Sequence, residues 1–214
     1  MEKNNESVNG TFVPIQISKS EYFKALSLDD IACLNGGIPD IIFFPERDIP
    51  KEIKGRFTTG TIRTPEDAVA ALTSVREIMF IDEISFICTE IEKEEHITSF
   101  YLQQIYNGII VLNGTFRVIA TSDGEPVAVI GLYISGINLE TTPSLDAKEA
   151  KKSVTLERNT KISETRLVAY KDYDETVYLC WIFTIRSRDP LKEKEIVVDA
   201  NTGIIIASFP LVLS

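Results

Sequence analysis

The side chains that could carry out chemistry are few and far apart in this sequence. His96 is the only histidine, which excludes HExxH motifs, paired-histidine metal sites and zinc fingers. Cys33, Cys88 and Cys180 are odd in number and widely spaced, with no CxxC pair, so neither a zinc site nor a disulfide framework is expected. A Ser/His/Asp or Cys/His arrangement could use His96, but no GxSxG or other nucleophile signature accompanies it. We therefore expect no metal, no cofactor and no enzymatic activity.

Composition and charge exclude further classes of partner. The 214 residues are 44% hydrophobic and 25% charged, which is typical of one large folded domain or two small ones. A net charge of −10 argues against nucleic acid, because phosphate binding needs a concentrated basic surface. No P-loop or GxGxxG motif follows a strand, and no apolar run reaches the roughly 18 residues of a membrane helix. The opening "MEKNNESVNG" also lacks the apolar core of a signal peptide.

The clearest helix signal is "TPEDAVAALTSVREIMF". Thr64 is a suitable N-cap, Pro65 fits the first helical position, and Asp67 is placed to bond back to the cap. Apolar residues then recur at helical spacing, which gives the helix one face to lay on a sheet. We predict a helix over residues 64–80.

The segment that follows alternates with period two, which is typical of strands. Asn107-Gly108, Asn113-Gly114 and Asp123-Gly124 punctuate it with turn signals, and the last of these favours a hairpin. The pattern predicts an antiparallel meander over about residues 85–135. The tyrosines Tyr101 and Tyr106 fit its core better than a ligand cage.

A similar pattern recurs in the last seventy residues. Asp146 and Glu149 are spaced as a capping pair, so a second helix is predicted over 146–155. Four strands follow, "TRLVAYK", "VYLCWIFTIRS" (which holds Trp181), "KEIVVDA" and "IIIASFP", the last two joined at Asn201-Thr202-Gly203. The order indicates an α+β fold of two consecutive units, each an antiparallel sheet with a helix packed across one face and the other face open.

The first fifty residues are harder to interpret. "GTFVPIQI" is consistent with a strand, and "SLDDIACLNGG" with a short helix that Ser27 caps. "PDIIFFPERDIP" is a short apolar run between prolines, which favours an edge or connecting segment. We treat residues 1–50 as an N-terminal segment of unassigned structure.

Two stretches resemble known domains. "HITSFYLQQIYNGIIVLNGTFRVIATSDGEPVAVIG" resembles the fungalysin/thermolysin propeptide (FTP) domain, which has a histidine, an aromatic residue, a glutamine and regularly spaced glycines. "SLDAKEAKKSV" through "IVVDANTGIIIAS" resembles the PepSY domain that follows it, above all in the closing V-D-A-x-T-G. The sequence departs from the first pattern at Ile110, where proline is usual, and lacks the basic residue after the histidine. The matching positions are His96, Gln104, Tyr106, Gly108, Gly114, Gly124, Gly131, Asp199 and Gly203.

The resemblance implies a domain order and a function. It places an FTP-like domain at 51–140 and a PepSY-like domain at 141–214, with a cystatin-like, propeptide-like fold. We interpret the matching residues as structural: the glycines at turns or close approaches, Gln104 and Asp199 bonding backbone groups, and His96 as a hydrogen-bonded strand residue. In secreted precursors such domains act as chaperone and inhibitor of a thermolysin-like zinc protease that follows them. Since no protease domain is seen before Ser214, the sequence suggests a stand-alone bacterial modulator acting in trans, secreted or in the cell envelope. A binding module with an unknown ligand is the alternative.

The apolar end, "IIIASFPLVLS", is the candidate partner-binding segment. The resemblance implies that Phe209, Leu211, Val212 and Leu213 lie where a precursor chain would run on towards its protease. Such enzymes accept bulky apolar side chains, so the tail could occupy the cleft as a product-like ligand. Alternatively, the same residues finish the last strand and are buried, with Pro210 at a bend or an edge.

Overall fold

The chain folds into two compact units in the computed structural model, which describes residues 39–44, 49–83 and 85–211. Of the described residues, those up to 104 and 113–136 form unit 1, and 105–112 and 137–211 form unit 2. The strand predicted at 10–17 and the helix predicted at 27–37 lie outside the described residues. These units are groups of packed residues; the predicted family domains at 51–140 and 141–214 stay a prediction.

Unit 1 is built on antiparallel strands. Along the sheet the order is β1, β2, β6, β5, β4, β3. The pairs β1–β2, β2–β6, β5–β6 and β3–β4 are all antiparallel. The strands are β1 (Asp40–Phe43), β2 (Pro50–Lys54), β3 (Phe86–Lys93), β4 (Ile97–Tyr106), β5 (Ile109–Thr121) and β6 (Pro126–Leu132). The ends of β4 and β5 that flank the turn at 107–108 belong to unit 2.

Helix α1 (Pro65–Ser74) begins as the sequence predicts. Thr64 caps it, and a capping box with Asp67 is present, with Pro65 in the first turn. The helix ends six residues before the predicted position. The Ser74 hydroxyl donates to the Ala71 carbonyl, and the N–H groups of Val75 and Arg76 donate instead to the carbonyls of Leu72 and Thr73, each at 3.2 Å. A side chain thus occupies the acceptor that the next helical turn requires, which favours termination.

The core of unit 1 lies between α1 and one face of its sheet. Ala68, Ala71 and Leu72 of the helix join buried sheet residues such as Phe100 and Phe116 in one cluster. Successive strand residues point to opposite faces, so Ser99 and Tyr101 belong to the other face. That second face carries polar groups and a groove.

Unit 2 is a mixed sheet. Its strands β7 (Thr160–Lys171), β8 (Val177–Ser187), β9 (Lys194–Asp199) and β10 (Ile205–Pro210) pair antiparallel in that order. The start of β5 pairs with β7 in parallel, with Ile110 beside Val168 and Val111 beside Ala169. The four strands predicted from the last seventy residues are therefore confirmed, but the parallel pair was not predicted.

The second predicted helix is much shorter than 146–155. Helix α2 (Ala147–Ala150) keeps the predicted capping box of Asp146 and Glu149, but it passes at once into a 3₁₀ turn at Lys151–Ser153. Only one turn of helix, with buried Ala150, faces the sheet. One turn is too short to cross a sheet of four strands spaced about 4.8 Å apart.

The predicted α+β fold of two helix-across-sheet units, cystatin-like and propeptide-like, is therefore wrong. The described chain is mostly β, with two short α-helices. Strand β8 shows why unit 2 has no open face. Ile182 packs in a cluster with Val168 and Val197, while its neighbour Phe183 packs in a second cluster with Ala150. The continuous apolar run "VYLCWIF" indicates a strand buried on both faces.

Of the three turns predicted between residues 107 and 124, two are confirmed and one is wrong. Asn107 and Gly108 have φ of +46° and +81° and join β4 to β5, and Asp123-Gly124 lies in the β5–β6 hairpin, so both turns are confirmed. The turn predicted at Asn113-Gly114 is wrong: Asn113 does take a positive φ of +66°, but strand β5 continues through both residues.

Candidate functional site

Of the predicted partner-binding segment, the structure describes Phe209 and Leu211. Phe209 lies in β10 opposite Glu195, and its ring packs edge-on against Tyr170 at a centroid distance of 6.2 Å. The Leu211 N–H donates to the Glu193 carbonyl at 2.9 Å. Both residues are half-buried. Val212 and Leu213 lie outside the described residues.

The outer edge of β10 is the surface that remains available around this segment. Within the described residues β10 pairs with β9 alone. In an antiparallel pair, the N–H and C=O groups of every second residue face the partner strand. The Leu211 N–H bonds Glu193, one residue before β9, so the backbone groups of Phe209 and Ala207 also face β9, which is called inward below. Ser208 and Pro210 then point outward. Pro210 has no N–H, so it closes one position of the edge while Ser208 keeps its donor and acceptor.

The side chains of this edge are uncharged, and all but Ser208 are apolar. Ile204 and Ile205 are 65% and 45% exposed. No charged residue occurs between Asp199 and Ser214. A bulge between Ile205 and Ala207 shortens the regular ladder. This surface, Ile204 to Ser208 along the side of β10 away from β9, is called the β10 edge below.

Among the described residues, the other edge strands carry features that hinder pairing with another chain. Strand β3 carries Glu90, Glu92 and Lys93, and a bulge between Cys88 and Glu90 interrupts its pairing. Strand β1 is four residues long and begins with Asp40. Charges, bulges and short length are the usual protections against pairing with another chain. The β10 edge has a bulge and a proline but no charge.

The prediction that His96 is a strand residue is wrong. It lies in the turn between β3 and β4 with its side chain 85% exposed, and its Nε2 is 3.8 Å from a carboxylate oxygen of Glu95. Its backbone carbonyl accepts from the Ser122 N–H at 3.0 Å. Among residues 39–44, 49–83 and 85–211, no group of three or more His, Cys, Asp or Glu side chains could hold a metal ion.

Gln104 is buried and fixes the segment that follows β6. Its Nε2 donates to the Ile134 carbonyl at 2.9 Å, and its Oε1 accepts from the Ile134 N–H at 2.9 Å. The amide therefore substitutes for a strand neighbour at this point. Gly114 leaves the room for it, because a Cβ there would lie 2.4 Å from the Gln104 Oε1.

The other motif residues of unit 1 also make structural contacts. Gly131 lies opposite Phe116, and a Cβ would lie 2.2 Å from the Thr115 carbonyl oxygen. The Gly124 carbonyl accepts from the Ile62 N–H at 2.8 Å.

In unit 2 the tyrosine of the motif bonds a loop. The Tyr106 hydroxyl accepts from the Leu139 N–H at 3.4 Å. The closing V-D-A-x-T-G forms the β9–β10 turn. Asp199 Oδ1 accepts from the N–H groups of Asn201 and Thr202 at 2.6 and 3.1 Å, and Gly203 takes a φ of +75°.

This turn holds the short helix of unit 2. The Gly203 carbonyl accepts from the Ser153 hydroxyl at 2.6 Å, and Asn201 Oδ1 accepts from the Ser144 N–H at 3.1 Å. The Trp181 indole N–H donates to the Leu145 carbonyl at 2.9 Å on the same segment. The turn and the indole together hold both ends of the segment 144–153.

Unit 1 also has a groove that was not predicted from the sequence. It has a volume of about 370 Å³ and lies on the sheet face that carries Tyr101 and Arg117, with Thr115 and Ile130 in its lining. The Arg117 guanidinium lies 5.4 Å from the Tyr101 ring centre and donates to the Ser99 hydroxyl at 2.9 Å. The Tyr101 hydroxyl donates to Glu92 at 2.7 Å. The period-two pattern contained this signal, since these polar residues alternate with core residues along β4 and β5.

The thiol of unit 2 is buried and its pKa is raised. Cys180 is fully buried, and burial, followed by the nearby carboxylates of Asp199 and Asp172, raises its pKa to about 12. Cys88 is partly exposed, and its Sγ donates to the Glu90 carbonyl at 3.3 Å. Since the thiolate is the nucleophile, Cys180 holds almost none of the reactive form at neutral pH.

We expect N-ethylmaleimide at pH 8 to modify Cys88 more than about a hundredfold faster than Cys180 in the native protein. A raised pKa means that the folded state keeps the proton at pH 8, where an ordinary thiol with a pKa near 8.5 is already about a quarter ionised. Peptide mapping by mass spectrometry measures each rate. In 6 M guanidinium the two rates should converge, and equal rates in the native protein would contradict the prediction.

The comparisons with known proteins found likenesses among solved structures, at low sequence identity. No protein-family model matches the chain, so the FTP and PepSY resemblances rest on motifs alone. No curated protein matches it either. Among solved structures, the Bacillus megaterium YpeB C-terminal domain matches with a TM-score of 0.44 and 15% identity, over 92% of this chain and 99% of that chain. Among the described residues, no helix is long and apolar enough to cross a membrane.

Proposed function

We propose that this protein is a non-enzymatic module that binds an extended polypeptide, and that it modulates a thermolysin-like zinc metalloprotease in trans as an inhibitor or folding chaperone. The motifs that resemble propeptide domains support the choice of partner. The resemblance also supports a secreted or envelope location. The residues of those motifs that the structure describes hold backbone turns and close contacts.

The observation that carries the proposal is the β10 edge together with the uncharged segment 200–214. Proteins rarely expose an uncharged edge strand unless it pairs with another chain, because such an edge is a template for association. Strand addition is a common way to bind an extended peptide, with backbone hydrogen bonds giving affinity. The absence of charge matters for a protein of net charge −10. A partner that approaches this segment meets no acidic side chain within it.

The test is a titration of mature thermolysin with the purified protein, read as the rate of peptide hydrolysis. We expect a concentration-dependent loss of activity, or a higher yield of active enzyme when unfolded thermolysin is refolded in its presence. Removing residues 212–214 spares every described contact of β10, so the thermal midpoint should stay within about 2 °C. If the tail enters the cleft, this truncation weakens inhibition at least about tenfold. If the intact protein changes neither the rate of peptide hydrolysis nor the yield of refolded thermolysin, the protease proposal is refuted.

A binding module with a ligand other than a protease is the alternative function. The groove of unit 1 favours it, because its lining belongs entirely to unit 1 and includes no residue of the β10 edge. Affinity capture from a secreted fraction, with intact protein and an Arg117→Ala variant side by side, separates the two. A ligand lost only with Arg117→Ala would favour this alternative.

A further inference from the structure

We infer that the β10 edge takes a segment of the partner polypeptide as an added strand, and that pairing is confined to the stretch from Ile205 to Ser208. This rests on the proposed binding of an extended polypeptide and assigns the place and mode of contact. The tail beyond Leu211 is then not the principal contact.

The backbone groups of β10 define where an added strand can bond. Ser208 points its N–H and C=O away from β9, since Phe209 and Leu211 point theirs inward. Ile205 lies before the bulge and directly after Ile204, whose carbonyl accepts inward from the Asp199 N–H at 2.9 Å. Ile205 therefore also points outward. Two residues thus offer both a donor and an acceptor to a new strand.

Two features set the ends of the pairing. Pro210 is the next outward position after Ser208, and it offers no N–H. At the other end the chain enters the turn that Asp199 and Gly203 hold. The added strand is therefore short, about four to six residues, which at about 3.4 Å per residue is the length of an ordinary strand.

The side chains around the edge indicate the chemistry of the occupant. On one face Phe209 and Ile206 border the cluster of Val168, Tyr170 and Val197, so an added strand would extend an apolar surface. On the other face Ile205 is 45% exposed. An occupant with apolar side chains on alternate positions and no acidic residue fits both faces. A second copy of this chain fits less well, because each copy carries a net charge of −10.

The first test measures the outward amide directly. In the free protein the Ser208 N–H has no partner in β9, so its hydrogen exchange should be fast, whereas the Leu211 N–H is bonded and slow. On binding thermolysin, or a capped uncharged strand-forming peptide such as Ac-VTVTVT-NH₂, we expect Ser208 exchange to slow at least tenfold, with Leu211 unchanged. Unchanged Ser208 exchange with both probes overturns the inference.

The two probes separate this inference from the proposed function. Protection of Ser208 by the peptide without binding to thermolysin supports strand addition and counts against the protease as partner. Inhibition of thermolysin without protection of Ser208 supports the protease and overturns strand addition. Concentration-dependent protection of Ser208 in the protein alone, with a dimer in sedimentation, would identify a second copy as the occupant and overturn the choice of a partner polypeptide.

Matched variants give an independent readout. Ser208→Pro removes the outward donor while keeping every β9 contact, and Ser208→Ala keeps the donor. We expect the first to weaken binding at least tenfold and the second less than twofold. Ile205→Lys places a charge on the edge and should also weaken binding tenfold. Its control is Ile91→Lys, since Ile91 is 44% exposed on edge strand β3. Equal binding by both lysine variants, with unchanged thermal midpoints, would contradict the inference.

Discussion

Gly131→Ala is expected to destabilise unit 1 by about 3 kcal/mol, the largest effect of any single methyl group that we predict. Gly131 lies in β6 opposite Phe116, and an added Cβ would lie 2.2 Å from the Thr115 carbonyl oxygen and 2.7 Å from the Phe116 Cα. Both atoms belong to the backbone of β5, so neither can move without disturbing the ladder. The clash therefore has to be relieved by separating two paired strands.

The measurement is urea unfolding followed by far-UV circular dichroism. Gly60→Ala is the matched control, because the nearest atom to its added Cβ is a side-chain oxygen of Thr58 at 3.9 Å. That variant should stay within about 0.5 kcal/mol of the parent. Equal stability of the two variants would show that β5 and β6 do not approach as closely as described.

Removing residues 209–214 is expected to destabilise unit 2 by about 3 kcal/mol. Half-burial of the Phe209 ring against Tyr170 contributes about 2 kcal/mol, and the backbone bonds of Phe209 and Leu211 to β9 contribute about 1 kcal/mol more. The truncation also exposes the apolar residues of β9. The thermal midpoint should fall by about 10 °C or more.

Trp181 is the only tryptophan and lies in unit 2, so its fluorescence reports this transition. The control is removal of residues 212–214 alone, which leaves Phe209 and the described bonds of β10 in place. If both truncations leave the midpoint unchanged, Phe209 is not part of the core. If only the longer truncation lowers it, the last strand is structural up to Leu211, and any inhibitory role of the tail falls to residues 212–214.

Some residues of the candidate site could be predicted from sequence motifs, and others could not. The motif residues Gln104, Asp199 and Gly203 were read from sequence, and the structure gives each a backbone partner or a positive φ. The β10 edge could not be read in the same way. Pro210 indicated a bend or an edge, but whether a strand lies at an edge depends on which strands pair, and the run "IIIA" is as apolar as a central strand. The groove at Arg117 likewise depends on two strands being neighbours.

The sequence by itself determined the features that depend on neighbouring residues. The capping boxes at Thr64 and Asp146, the turns at Asn107-Gly108 and Asp123-Gly124, and the positions of β7 to β10 all follow from local hydrogen bonding or from a period-two pattern. Such signals act over a few residues, so they hold in almost any fold.

Only the tertiary structure decided the rest. The parallel pairing of Ile110 with Val168 joins segments nearly sixty residues apart, and no local pattern specifies it. Asn113-Gly114 has the composition of a turn, yet Gly114 lies inside β5, where it admits the buried Gln104 amide. The second helix passes into a 3₁₀ turn after Ala150, where the Ser153 hydroxyl bonds the Gly203 carbonyl of the β9–β10 turn. In each case packing between distant segments outweighed a local preference of about 1 kcal/mol or less.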